Sequence, residues 1–582
     1  MTVFTFNNGL LDRNGIFEFY FGAWDPSGIK QFSFDAFIDY SGIAVSRGEK
    51  YFLASSIFAA DPDRHSLITS FSEENTDIIK LLFRGYLLEP PIHSLSPKEK
   101  IADYWKHDFY RNHNGIFSAV AIKNAGNTLE MVTDAFGIAP LYYRKLDTSI
   151  IFSSSPRFLS YEADKQNLKA WRCLMESGFI MGNDSLNKEV RRVPPGAVLS
   201  FSGNKLFTKS WFDYSALPEG RDYITSKAVD DAEQSFSGAV KRCLKLDAGE
   251  RLLPLSGGYD SRHILAHLLL NNVSFLSSTV RVPHPVKGYD VDGFFSEAIV
   301  REYGLNHSFH RMPAGEDRVT AEKIRRFILD YESTMHAGFL PVWNNPDKST
   351  IVLDGLCGDT LSHSGLKISG IGDNYIPDRR IIAQHLVKCD FDSVLNPEFW
   401  PNYKEILDGF IEGINFIPLT PASVDIIVIL HRARRAISIA SQQFAKSGHI
   451  AVYPYLDLDH IKTLLQYHPL ERFKTPFQAQ CLKQYHSNIY NYHGSHNIPD
   501  NLSIPVIDDD PLFLSEHLKT LRILNTSAHL KFLNWKRKFM FKLAVKQNMA
   551  AKRITWWSIP LSEFLDKLGQ PAFILKSQRS TI

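Results

Sequence analysis

Up to about residue 214, apolar and polar positions alternate in short runs. "GIFEFYFGAW", "IFSAVAI", "TLEMVTDA", "SIIFSSS" and "GAVLSFS" are separated by Gly, Asn, Asp and Pro. A period of two with that punctuation predicts strands joined by turns. The stretch 214–223, "YSALPEGRDY", is rich in turn formers and reads as a linker. Beyond it the period lengthens. "SKAVDDAEQSFSGAVKRCLK" predicts a long helix, and "LLPL" at 252–255 a buried strand, although Pro254 counts against a fully hydrogen-bonded central position. A helix, the strand "VSFLSSTVRV" (273–282) and the helix "DGFFSEAIVREYG" follow. Strands alternating with helices predict a parallel sheet. From about residue 380 the pattern is mostly helical.

The join between "LLPL" and the next helix carries the first chemistry. Ser256-Gly257-Gly258-Tyr259-Asp260-Ser261 leaves the strand through two glycines and enters a helix at once. Glycine permits positive φ and lets a backbone approach a ligand closely. Asp260 or Ser261 can cap the helix, whose free N–H groups and dipole favour an anion. The loop lacks the Lys of GxxxxGK[ST] and is not G-x-G-x-x-G, so neither a Walker nucleotide site nor a dinucleotide fold has support. An ordinary strand–turn–helix remains the plain alternative.

Composition narrows the classes. With 582 residues the chain is long enough for two or more domains. A net charge of +2 argues against a nucleic-acid coat. Cys173, Cys243, Cys357, Cys389 and Cys481 are scattered without a CxxC pair. That spacing argues against a zinc site or disulfide framework and fits a reducing cytoplasm. No apolar run approaches the roughly 20 residues of a membrane span, and the start of the chain does not read as a signal peptide.

The stretch 256–261 resembles the SGGxDS pyrophosphate loop of the N-type ATP pyrophosphatases. Upstream, "NGIFSAVAI" (114–122), "VTDAFGIAPLYYRK" (132–145), "IFSSSPRFLS" (151–160) and "VRRVPPGAVLSF" (190–201) follow in order. Their sequence and spacing resemble the glutaminase-type domain of asparagine synthetases, with Asp134, Gly137, Pro140, Leu141, Tyr142 and Tyr143 matching its central motif. Together the two halves resemble the asparagine synthetase superfamily over roughly residues 110–490. The resemblance implies α/β plus α+β architecture. Residues 1–214 would form an N-terminal antiparallel β-sandwich of Ntn-hydrolase type. Residues 224–500 would form a parallel-sheet ATP-pyrophosphatase domain, and 501–582 a helical C-terminal extension.

It also implies a site. "TIVLDGLCGDTLSHSG" (350–365) resembles the family's second phosphate loop, with Gly355, Gly358 and Asp359 matching. Asp260 and Asp359 would then hold Mg²⁺ against the phosphates of ATP. Ser256, Gly257, Gly258, Ser261, Gly355 and Gly358 would line the nucleotide. The implied reaction is adenylation of a carboxylate, release of pyrophosphate and coupling to ammonia or an amine. The partners would be a small-molecule or peptide carboxylate and a second copy of the chain in a homodimer, in the cytoplasm, without nucleic acid.

The departures count as much as the matches. Working glutaminases of this type carry Cys after the initiator Met, where this chain has Thr2. The glutamine-binding N-G-E stretch aligns with "FRGYLLEP" (83–90), placing Arg84 for Asn and Tyr86 for the acid, so this pocket reads as inactive. The family's loop Glu is Leu356, which can accept no proton. Glu332 and His336 in "DYESTMHAGFLP", or His363, are substitutes, each equally readable as a structural polar group. Arg434 and Arg435 are candidates for a phosphate or substrate carboxylate, or for a solvated helix face. The family's pyrophosphate-contacting lysine has no clear counterpart; Lys536 or Lys538, in the basic aromatic stretch 528–557, is a stand-in. A non-catalytic scaffold and a literal glutamine-hydrolysing asparagine synthase are the rival readings.

Overall fold

The computed structural model describes residues 2–6, 20–30, 32–34, 43–56, 67–71, 77–94, 96–106, 113–160, 164–247, 249–281, 289–311, 331–334, 350–387, 392, 395–445, 449–494, 502–506 and 575–579. Two antiparallel sheets face each other in the first half. One runs, by neighbours, Lys205–Ser210, Ala197–Ser202, Thr128–Thr133, Gly115–Lys123, Ile78–Leu88 and Ile68–Ser70, with Pro91–His93 pairing on Ile78–Leu88. The other runs Arg191–Arg192, Tyr142–Leu146, Ser149–Ser153, Tyr20–Trp24, Tyr51–Ser56 and Ile43–Arg47.

Alternation explains why these strands make a sandwich. In Gly115–Lys123 every second side chain points the same way. Val120 and Ile122 join Trp24, Leu53, Met131 and Phe152 in the layer between the sheets. Phe117, Ala119 and Ala121 turn to the outer face, under Ile101 and Trp105 of the helix Lys98–Trp105. Both faces of the strand are therefore buried, and its one charged residue, Lys123, stands at its end.

The second half is built on a five-stranded parallel sheet. Its order is His307–Arg311, Leu276–Arg281, Glu250–Pro254, Thr350–Leu353, Ile450–Val452. The first strand in sequence thus lies in the middle, and the order reverses on either side of it. Pro254 is tolerated there because the ladder with Thr350–Leu353 covers only Glu250–Leu252. On the other side Pro254 ends the strand opposite Ser278. The helices expected at 226–244 and 291–303 are present, and the described residues between 380 and 490 are mostly helical, with the short strand Ile450–Val452 among them.

Two elements depart from the reading of the sequence. The 214–223 linker is no loose tether. Tyr214 and Leu217 are buried in a core that also contains Leu253, Val352 and Ile427 of the second half, and Tyr214 Oη donates to the Ala135 carbonyl at 2.5 Å. The C-terminal extension lies mostly outside the described residues. Its described end, Leu575–Arg579, is a strand antiparallel to Thr2–Phe6, not a helix.

Candidate active site

The middle strand and its neighbour Thr350–Leu353 point their C-terminal ends at one crevice. This is the place where the strand order reverses, and open parallel sheets bind ligands there because the flanking loops diverge. The loop from the first strand is Ser256–Ser261, and the loop from the second is Asp354–Thr360.

Hydroxyls pin the first loop. Ser256 N donates to Ser261 Oγ at 3.1 Å and Gly258 N to Ser256 Oγ at 3.2 Å. The helix Tyr259–Leu270 starts immediately after it, with Gly258 as N-cap and no side-chain cap, so Asp260 lies in the first turn rather than capping. Arg262 braces the loop from below. Its guanidinium donates to the carbonyls of Gly258 (3.1 Å), Gly257 (3.2 Å) and Tyr492 (2.9 Å). Gly257 N donates to Asp292 Oδ1 at 2.9 Å, from the first turn of the helix Val291–Tyr303.

The second loop closes on the first through missing side chains. A Cβ on Gly355 would lie 3.0 Å from Asp260 Cβ, and one on Gly358 would lie 2.3 Å from Asp260 Cγ. Only glycine at 358 admits the carboxylate. Asp359 N donates to Asp260 Oδ2 at 3.1 Å, and Gln478 Nε2 donates to Asp260 Oδ1 at 3.1 Å. Asp260 is hemmed in, and burial together with the nearby Asp359 charge pushes its carboxyl well above the usual range. Asp354 ends the strand and accepts from Leu356 N at 2.9 Å. Burial raises it to about 6.

Cations reach the crevice from positions the sequence did not single out. Lys367 Nζ lies 3.3 Å from Asp359 Oδ1, on the short helix Gly365–Ser369 that follows the loop. Arg432 is coupled electrostatically to Cys357 and Asp359, and burial lowers its guanidinium. It sits in a π-helical turn, Ile429–Ala433, a device that re-aims side chains and recurs at functional sites. Lys536 and Lys538 lie outside the described residues.

The other candidates separate. His336 lies outside the described residues. Glu332 is not in the crevice. It is fully buried at the seam between the halves, where its Oε2 accepts from Arg435 Nη1 at 2.6 Å and Tyr142 Oη at 3.0 Å. Its Oε1 accepts from Leu186 N at 2.9 Å. With both oxygens engaged, Glu332 is a structural pair partner there rather than a proton acceptor beside Asp260. Arg434 faces the same seam, donating to the carbonyls of Gly137 (2.9 Å) and Val193 (2.7 Å). Neither arginine is on a solvated face or at the two loops of the crevice. His363 lies against the Phe473 ring, with centroids 5.9 Å apart.

The same seam absorbs the D-x-x-G-x-x-P-L-Y-Y motif. Asp134 accepts from the amides of Phe136, Ile138 and Ala139 at 2.9–3.1 Å. That shapes the turn in which Gly137 (φ 61°) offers its carbonyl to Arg192 and Arg434. Arg84 and Tyr86 line a small cavity between the halves, together with Ile138, Ser438 and His449, and Tyr86 Oη accepts from Tyr453 N at 3.1 Å. Thr2 opens the strand Thr2–Phe6.

The arrangement is an antiparallel sandwich joined to a parallel-sheet half with two loops at its switch point. Residues 100–212 match the family model described as "Glutamine amidotransferase domain". The chain is asparagine synthetase-like. It is 23% identical over 210 residues to the glutamine-hydrolysing asparagine synthetase 1 of Bacillus subtilis (strain 168). That match covers 34% of this chain and 30% of the relative's length. Two solved structures overlap 59% of the chain at 10% identity and a TM-score of 0.22. One is the glutamine phosphoribosylpyrophosphate amidotransferase of B. subtilis complexed with ADP and GMP, covered over 76% of its length. The other is described as the allosteric regulatory enzyme of purine biosynthesis, covered over 75%. At those TM-scores the fold rests on the sheet order given above. Among the described residues no helix is long and apolar enough to cross a membrane.

Proposed function

We propose that the chain is an ATP-dependent amide ligase that activates a carboxylate by AMP transfer, releases pyrophosphate and joins the carboxylate to ammonia or an amine. The observation that carries this reading is the contact of the two loops across the switch point, where the Asp359 amide donates to the Asp260 carboxylate at 3.1 Å. Asp260, its carboxyl raised by burial first and by the Asp359 charge second, and Asp359 on the facing loop suit a hard divalent cation that takes oxygen ligands, and Mg²⁺ is the ion that works with phosphates. Bound there by Asp260 and Asp359, it would neutralise the leaving pyrophosphate.

The chain's own residues have distinct tasks in this scheme. Ser256, Gly257, Gly258 and Ser261 cradle phosphate oxygens with amides and hydroxyls. Lys367 and Arg432 place positive charge on the second loop's side of the crevice, the role for which the family's lysine has no counterpart in the sequence. Leu356 accepts no proton, and Asp354, ionising near pH 6 at the end of the same strand, takes the proton of the incoming amine. Positioning and charge stabilisation supply the rate.

A second reading, a non-catalytic scaffold, is favoured by one contact: the Asp292 carboxylate already occupies the Gly257 amide. Exchange of labelled pyrophosphate into ATP over a panel of carboxylates separates the two. Catalysis predicts substrate-dependent exchange that falls about 10²–10³-fold in Asp260→Asn. Formation of ADP and phosphate would refute AMP transfer, and absence of nucleotide binding would establish the scaffold.

A further inference from the structure

Along the helix that follows the Ser256–Ser261 loop, on the face that also carries Asp260, four side chains converge. Glu233 comes from the helix Ser226–Leu244 and His263 and His267 from successive turns of Tyr259–Leu270. His486 follows the end of Phe477–Tyr485. The Glu233 carboxylate lies 2.9 Å from His263 Nε2, 3.1 Å from His267 Nε2 and 2.7 Å from His486 Nε2. One donor atom from each residue lies within 4.8 Å of every other. The side chains are 2% (His263), 2% (His267), 7% (His486) and 12% (Glu233) exposed, so the cluster is closed to solvent.

Hydrogen bonding alone does not account for the arrangement. His267 is the exception in an otherwise satisfied cluster: its Nε2 faces Glu233 without hydrogen-bond geometry, and its Nδ1 is buried with no partner among the described residues. An imidazole aimed at a convergence point it does not bond to is placed as a ligand is placed. The surroundings fit as well. His263 Nδ1 is 3.1 Å from Tyr455 Oη, which fixes the ring and leaves Nε2 to point inward, as outer partners of metal-binding histidines do. Phe236 stacks on His263 with centroids 4.0 Å apart and keeps water out.

We propose that Glu233, His263, His267 and His486 form a closed structural site for a divalent transition cation of the zinc class. Three imidazole nitrogens and one carboxylate oxygen are a tetrahedral set for zinc, whose bonds of about 2.0–2.2 Å put ligand atoms about 3.4 Å apart. To accept it, the Glu233 contacts at 2.7–3.1 Å open slightly and the widest donor pairs, at up to 4.8 Å, draw in. With all four positions filled by protein, the ion takes no part in chemistry. It ties together the three helices that carry the phosphate loop, the start of the second half and, through Gln478, the contact to Asp260. The cysteine spacing bears only on thiolate sites and leaves this one untouched. The proposal does not depend on the ligase reading.

Full-length protein prepared without a nickel column is analysed for bound metal, then stripped with chelator and titrated with Co²⁺. One equivalent of zinc as isolated, and an intense tetrahedral cobalt spectrum saturating at one equivalent and abolished by added Zn²⁺, are expected. His267→Ala and His486→Ala each lower bound metal at least about tenfold, Tyr455→Phe weakens affinity about tenfold, and His310→Asn, outside the cluster, changes neither. A weak octahedral cobalt spectrum, no saturable uptake by the parent protein, or equal loss in His310→Asn overturns the proposal. The parent protein's cobalt spectrum decides the matter even if the alanine variants do not fold.

Discussion

Glu332→Ala is the sharpest perturbation of the seam between the halves. Glu332 and Arg435 are 0% and 1% exposed as side chains, and Glu332 accepts from Arg435, Tyr142 and Leu186. Truncation leaves the buried guanidinium with the Tyr142 hydroxyl and the carbonyls of Gly182 and Asp184 as acceptors, and takes away the carboxylate to which the Tyr142 O–H donates. Removing one partner of a buried pair costs about 3–5 kcal/mol, whereas replacing both by apolar side chains is often close to neutral. Glu332→Leu combined with Arg435→Met therefore recovers most of the loss. A further discriminator lies in the backbone, because Glu332 has φ 54°. Glycine is at ease there and alanine is not, so Glu332→Gly should be about 1 kcal/mol less damaging than Glu332→Ala. Urea denaturation of the parent and the three variants, followed by tryptophan fluorescence, measures all of this. A Glu332→Ala loss below about 1 kcal/mol, or a double variant as unstable as the single, would refute the account of the seam.

Two further outcomes follow from the crevice. Gly358→Ala drives a methyl group into the Asp260 carboxylate, and a displacement of that size should cut pyrophosphate exchange about 10²-fold with little change in the unfolding midpoint; retained exchange would separate Gly358 from catalysis. Asp354, raised from 3.8 to about 6, binds its proton more tightly folded than unfolded, so its contribution to stability is full below pH 4 and lost as pH rises through 6; as a base, it makes the rate climb over the same rise. Asp354→Asn should therefore remove that limb of the pH–rate profile and, at pH 7–8, stabilise the fold by up to about 3 kcal/mol, and a profile unchanged near pH 6 would exclude Asp354 as proton acceptor.

The two loops at the switch point were legible because each packs its polar residues into six or seven consecutive positions beside an apolar strand. The strand–helix alternation gave a parallel sheet for the same reason: period and punctuation are local. Long-range chemistry was not. Arg434 and Arg435 drew attention, yet the π-turn before them directs Arg432 toward Asp359 and sends the other two into the seam. No helical periodicity announces such a turn. Lys367 is invisible until the short helix after the second loop folds it back. His263 and His267 stand at i and i+4, a visible pair, but Glu233 and His486 reach them only through the packing of three helices. Pro254 misled in a smaller way, since a central strand can end on proline where its neighbour's ladder has already stopped.

The residues that make the first half recognisable are largely the ones that hold the second half. Gly137 lends its carbonyl to two arginines, and Tyr142 completes the Glu332 pair. Natural selection therefore has a reason to retain this signature that is indifferent to glutamine. A lineage free to vary position 2 is not free to lose Asp134, Gly137 or Tyr142, because the second half would come undone with them. Motif retention in such a chain records the history of a joint, and the pocket beside it can drift to a new purpose unseen.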